Sequence, residues 1–209
     1  IYLTSIFGGI YVYTLEELQS IVRKCNRCPL SKTRTNVVFG EGNGKATIMF
    51  IGEGPGYNED KMGRPFVGKA GELFDKILGA VALKREDVYI ANIVKCRPPN
   101  NRNPLEGESK ACIEFLRWQV KIIDPDIIIC LGAVAARNII DKDFRITQNR
   151  GIWYQKGKFY IMATYHPAAL LRDESKKGDA WKDFKSIKKK HEELNEKIRN
   201  FPGCTFLEL

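Results

Sequence analysis

The sequence predicts an α/β fold, a single domain over residues 1–209 with a central four-stranded, mostly parallel sheet flanked by helices. Three observations predict it. Four short runs rich in β-branched and aromatic residues, at 47–51, 88–94, 127–131 and 159–163, read as strands. Segments with apolar residues three or four apart fall between them, and that alternation is the mark of βαβ units. The residues after each strand are also chemically unusual, and in open α/β sheets ligands bind at that carboxyl end.

Residues 1–13 are read as an N-terminal extension. Thr14 then caps a helical pattern of Leu15, Leu18, Ile21 and Val22 that runs into Cys25 and Cys28. The first strand exits into Gly52-Glu53-Gly54-Pro55-Gly56, and a helix follows over 72–81. The second strand exits into Lys95-Cys96-Arg97-Pro98-Pro99-Asn100, before a helix over 106–123. Gly132 ends the third strand, with a helix over 134–140, and Tyr165-His166-Pro167 follows the fourth. The last segment, 176–200, places Trp181, Phe184, Ile187, His191, Leu194 and Ile198 on one stripe and predicts an amphipathic helix. His191 on that stripe is assigned to packing.

Lys and Arg outnumber Asp and Glu, 34 to 25, for a net charge of +9. A polyanionic partner is favoured by counterion release, although lysine-rich helices also solvate a surface without binding anything. No apolar run is long enough to predict a membrane span, and nothing resembles a secretory signal, so an intracellular, cytoplasmic protein is expected. The six cysteines then suit metal ligands or buried thiols better than disulfides.

Four of them stand out. Cys25-x-x-Cys28 at a helix end, with Cys96 and Cys112 far downstream, is a pattern for a tetrathiolate site, but the spacing does not choose zinc over iron. Cys130, inside an apolar strand, and Cys204 are read as non-ligands. The Gly52–Gly56 turn lets backbone amides approach a planar or anionic ligand, yet lacks the Lys-Ser/Thr ending of a phosphate loop. His166, one of two histidines, can donate a hydrogen bond to charge developing on a substrate. Arg97 and Arg102 sit in a stiff, proline-bearing loop able to press on a phosphate backbone.

These pieces together resemble the family 4, iron-sulfur uracil-DNA glycosylases of bacteria and archaea. The match runs from about Leu15 to Arg172, through Cys25-Asn-Arg-Cys28-Pro-Leu, Gly52-Glu-Gly-Pro-Gly with Glu59-Asp60 behind it, and Gly63-Arg-Pro-Phe66-Val-Gly. It continues through Asn92-Ile-Val-Lys-Cys96-Arg-Pro-Pro, Cys112 and His166-Pro-Ala-Ala-Leu-Leu-Arg172. The resemblance implies a three-layer glycosylase fold, and a structural 4Fe-4S cluster on Cys25, Cys28, Cys96 and Cys112. It implies a monofunctional enzyme that flips uracil out of DNA and leaves an abasic site, with Phe66 facing the base, Asn92 reading its edge and His166 serving its O2 oxygen. Substrate contacts are expected from Gly52, Glu53 and Gly54, and DNA contacts from Arg97, Arg102 and Arg172.

One departure stands in the first motif, where Gly54 occupies the place at which the best-known uracil glycosylases have a water-orienting Asp. Glu53 is the nearby candidate for that task, or for walling off the methyl group of thymine. Uracil-containing DNA is the expected partner of a monomeric protein; a sliding clamp suits the family, but no segment here encodes it. Two other readings remain: a cluster-stabilised module that binds uracil or single strands without cutting, and a zinc-bearing nucleic-acid protein.

Overall fold

The computed structural model describes residues 13–200, with side chains to 196. The expected N-terminal extension and Cys204 therefore lie outside the described residues. The chain runs through α1 (Leu15–Arg23), β1 (Glu41–Gly42), β2 (Ile48–Gly52), α2 (Tyr57–Met62), α3 (Lys69–Ala80), β3 (Tyr89–Asn92) and α4 (Glu106–Ile123). It continues through β4 (Ile127–Leu131), α5 (Ala133–Ile139), α6 (Ile146–Asn149), β5 (Trp153–Lys156), β6 (Phe159–Thr164), α7 (Pro167–Arg172) and α8 (Lys177–Asn200).

The sheet order is β1-β3-β2-β4-β6-β5. The four predicted strands are the parallel inner ones, β3, β2, β4 and β6. The sheet has six strands rather than four, because an antiparallel strand lies along each edge, β1 on β3 and β5 on β6. Both edges evade a pattern search for physical reasons. The first is a two-residue pairing, and the second pairs through a tight turn at Gly157 with only partial burial of its residues.

Strict alternation along the inner strands builds two cores. Met49, Ile51, Ala91, Ile128, Cys130, Ile161 and Ala163 face one way, together with Leu18 and Val22 of α1 and Phe115 and Leu116 of α4. Ile48, Phe50, Ile90, Ile129, Leu131 and Met162 face the other way, toward Phe74 of α3 and Phe184 and Ile187 of α8. Parallel strands buried on both faces read as continuous apolar runs, which is why these four were visible in the sequence.

The helix starts obey local chemistry. Thr14 makes the capping box at α1, accepting from the Glu17 amide while the Glu17 carboxylate accepts from the Thr14 amide. His191 does more than pack: its Nε2 lies 2.9 Å from Thr47 Oγ1 and 3.2 Å from Asn195 Nδ2. Among the described residues no helix is long and apolar enough to cross a membrane.

Chain order sets the site. After β2 the chain places β3 on one side and then passes over to place β4 on the other, so the connections leave β2 in opposite directions. A crevice opens at such a switch point, at the carboxyl ends of the strands.

Candidate active site and four-cysteine cleft

Gly52 ends β2 and Asn92 ends β3, and the two are register partners. Bonds from Ile93 N–H to the Gly52 carbonyl and from Val94 N–H to the Glu53 carbonyl hold the two exits together. Only glycine fits at 52: a Cβ there would collide with Asn92 Oδ1 and come within 2.8 Å of the Phe66 ring. Asn92 is buried, and its Oδ1 is a buried acceptor with no hydrogen-bond partner. An orphaned acceptor of this kind costs about 1–3 kcal/mol, so it is a place to look for a ligand donor.

Phe66 takes a left-handed backbone, φ 51°, uncommon for a bulky residue and a mark of stored strain at a site. The strain is held from both sides. Glu59 Oε1 accepts from the amides of Val67 and Gly68, at 2.9 and 3.0 Å. The Arg85 guanidinium donates to the carbonyls of Pro65 and Phe66 while paired with Glu41 and Asp75. The Phe66 ring then stands beside Gly52 and Asn92, and 5.3 Å from the His166 ring at a 26° tilt. Glu59 was legible as part of a motif; Arg85 carried no sequence signal, lying in a turn far along the chain.

His166 leaves β6 and caps α7. Its Nδ1 accepts a hydrogen bond from Ala168 N–H at 3.1 Å, so the ring proton sits on Nε2 and the imidazole is a neutral donor. Burial, reinforced by the positive charge of Arg172, lowers its pKa to about 4, with Glu59 opposing. Gly132, with φ 93°, allows the ring to seat, since a Cβ there would stand 3.1 Å from His166 Cβ. Two residues back, Thr164 Oγ1 donates to Asp183 of α8 at 2.6 Å, anchoring the strand end. Glu53 is half-buried at the same mouth; desolvation raises its pKa, with Arg172 acting against that rise.

The predicted DNA-contacting arginines separate. Arg172, the last residue of α7, is exposed. Arg97 lies over the exposed Tyr57 ring, 5.1 Å from its centroid, and donates to Asn101. Arg102 grips Glu108 of α4 with two bonds of 2.7 and 2.8 Å, so its guanidinium is already occupied.

Away from this mouth, Cys25, Cys28, Cys96 and Cys112 line one narrow cleft, part of it open to solvent. N–H donors already point at the sulfurs: Arg27 N to Cys25 Sγ at 3.5 Å, Arg34 Nη1 to Cys96 Sγ at 3.3 Å, and Lys95 N to Cys112 Sγ at 3.3 Å. Desolvation raises the Cys96 thiol and pushes Cys112 up to about 11, so these thiols stay protonated unless a metal displaces the proton. Among the described residues no three His, Cys, Asp or Glu side chains are close enough to grip one metal ion. Cys130 is fully buried in β4, apart from this cleft.

A family model described as the uracil DNA glycosylase superfamily matches residues 39–185. The chain is 52% identical over 171 residues to a type-4 uracil-DNA glycosylase of Thermotoga maritima, covering 78% of this chain and 88% of that one. To the type-4 enzyme of Archaeoglobus fulgidus it is 45% identical over 184 residues, 83% and 92% of the two chains. To that of Pyrobaculum aerophilum it is 42% identical over 180 residues, 81% and 91%.

Proposed function

The chain belongs to the uracil DNA glycosylase superfamily, in its type-4 branch; it therefore excises uracil from DNA in repair, and we propose that Asn92 and His166 carry that reaction. The observation that carries this assignment is the orphaned Oδ1 of Asn92 at the floor of the crevice, beside Gly52, Phe66 and a neutral His166.

Uracil inside a duplex is out of reach, so the nucleotide is flipped into the crevice, at a few kcal/mol of unstacking. Phe66 gives it an apolar face. The free Oδ1 of Asn92 accepts from the N3–H of uracil while its amide donates to O4; cytosine presents the reverse pattern and leaves both groups unpaired. Breaking the glycosidic bond leaves positive charge on the sugar and negative charge on O2 of the base. His166 Nε2–H, its tautomer set by the Ala168 amide, donates to that oxygen as charge appears there. Backbone amides of the Gly52–Gly54 turn add to it. One such donor is worth roughly 2.7–4 kcal/mol, and a neutral imidazole at a helix start is suited to the task. Glu53 orients the attacking water against the sugar and, as a carboxylate, favours the cationic state. The product is an abasic site, with no covalent link to the enzyme.

The four thiols fit a 4Fe-4S cluster. A zinc ion needs four sulfurs each about 2.3 Å away. A cluster spreads its thiolates over several irons and is supported by hydrogen bonds to its sulfurs, and N–H donors already point at three of the four sulfurs that share this cleft. Bound there, the cluster would supply a cross-link and no chemical step, joining the end of α1 to the Arg97–Asn101 loop and to α4. Exposed Arg172 and the Arg97–Tyr57 pair line the DNA side.

The test is a labelled oligonucleotide with one uracil, incubated with protein and then treated with alkali, beside His166→Ala and Asn92→Ala. Alkali-dependent cutting by the parent, reduced roughly a hundredfold or more by His166→Ala, is expected. Equal cutting by His166→Ala removes the assignment. Absence of cutting with retained DNA binding favours the non-cutting module instead.

A further inference from the structure

Lys95 is 1% exposed, among the largest fully buried side chains of the molecule. Lysine is almost never fully buried without a pairing charge, and Lys95 makes none of the carboxylate ion pairs found among the described residues. Its ammonium donates instead to two neutral acceptors, the backbone carbonyl of Asn92 at 2.9 Å and Gln119 Oε1 of α4 at 2.6 Å. Gln119, itself fully buried, is fixed in turn by donating to the carbonyl of Phe39 and to the Tyr89 hydroxyl. The same lysine lines the four-cysteine cleft, and its backbone amide donates to Cys112 Sγ.

We propose that Lys95 is a positioning residue that joins the two sites: its ammonium is the internal counter-charge to a thiolate-bound cluster, and its bond to the Asn92 carbonyl sets the base-reading amide. This rests on the readings of the cysteines and of Asn92 given above. Two consequences follow from one side chain. Thiolates holding a cluster bring net negative charge against the buried inner wall of the cleft, at Cys96 and Cys112, where Lys95 is the fully buried cation, while Arg27 and Arg34 line its more open side. The bond from Nζ holds the Asn92 peptide, and with it the point from which the side chain enters the crevice, and misplacement of a binding group by about 1 Å can cost on the order of a hundredfold in rate.

The experiment uses the full chain as produced and two variants. Lys95→Met keeps length and removes the charge; Gln119→Glu keeps an acceptor for Nζ but cancels its charge with a carboxylate. Each is scored for iron and acid-labile sulfide, for the rate at which ferricyanide bleaches the cluster colour, and for inhibition of cutting by free uracil, with Asn92→Ala as reference. Removing a nearby positive charge makes a cluster easier to oxidise. Lys95→Met is therefore expected to bleach faster and to bind uracil at least about tenfold more weakly, approaching Asn92→Ala. Gln119→Glu should bleach faster with uracil inhibition within about twofold of the parent, since the bond to Asn92 stays. A purely structural lysine would lower the melting temperature and move neither readout in folded protein, and that result overturns the inference. If Lys95→Met does not fold, unchanged bleaching in Gln119→Glu overturns it as well. A parent protein without iron overturns the cysteine reading and this inference together; an Asn92→Ala variant with normal uracil inhibition overturns the base-reading half.

Discussion

Replacing Gly52 by Ala adds one methyl group and should disable the crevice. The added Cβ would meet Asn92 Oδ1 well inside contact distance and stand 2.8 Å from Phe66 Cζ. Neither neighbour yields cheaply: Asn92 and Phe66 are 2% and 6% exposed, and the Phe66 backbone is pinned by Glu59 and Arg85. Restoring ordinary contact requires the Asn92 amide to withdraw by roughly 1 Å, a displacement on the order of a hundredfold in rate. Overpacking costs about 1–3 kcal/mol, which for a chain of this size lowers Tm by roughly 2–12 °C. Gly79 in α3 is the control, because a Cβ there meets nothing within 4 Å and helix propensity makes Gly79→Ala neutral or stabilising, by up to about 1 kcal/mol. Single-turnover excision from a uracil oligonucleotide, with thermal melts of both variants, separates the two effects. Gly52→Ala cutting at the parental rate would refute the geometry assigned to Asn92.

The acid side of the rate profile should belong to Glu53. His166, with a pKa of about 4, is a neutral donor at any pH above that, whereas Glu53 ionises only above a value raised from the usual carboxylate range by burial. Activity thus falls first as Glu53 gains a proton, and Glu53→Gln should flatten that limb at a reduced rate; an acid limb near the ordinary histidine value of about 6.5 contradicts this. The same depressed His166 pKa means the unfolded chain takes up protons first, so stability falls as pH drops through about 6.5 toward 4. His166→Ala should lessen that loss in denaturant titrations at the two pH values, and equal pH dependence in both proteins counts against it.

Glu59→Ala should slow excision by about tenfold or more through release of the Phe66 turn, while Glu59→Gln, which retains an oxygen for both amides, should stay within about threefold. Equal loss in the two would mean that charge, not the amide clamp, matters. Arg172→Ala should reduce the salt dependence of DNA binding by about one unit of slope, whereas Arg102→Ala should leave the slope alone and lower Tm by uncoupling Glu108. A change of slope in Arg102→Ala would instead mean that Arg102 meets phosphate while it holds Glu108.

Where the chain is periodic, the structure could be read in advance. The helix over 106–123 and the strand over 127–131 appear with those bounds, and the capping box at Thr14 starts α1 where expected. The short helix α2 and the edge strand β1 escaped because neither is long enough to show a period, and α7 is set by His166 and Pro167 rather than by a stripe. His166 was singled out because a polar residue leaving an apolar strand is conspicuous, whereas Asn92, inside the run read as a strand over 88–94, was named only through the resemblance. The pairing of Arg102 with Glu108 was not legible, because a loop residue's partner on the following helix depends on how the loop turns.

By itself, then, the sequence determined which residues form the inner strands, which ends of them face the crevice, and which family's motifs they carry, because each of these depends on neighbours within a few positions along the chain. The tertiary structure decided the rest. It placed an unpartnered oxygen on Asn92, clamped Phe66 into a left-handed backbone through Arg85, put the His166 proton on Nε2, and buried Lys95 between the base-reading amide and the cysteine cleft. Those properties arise from burial and from partners brought together out of separate elements, and desolvation and hydrogen-bond geometry exist only once the chain has closed on itself.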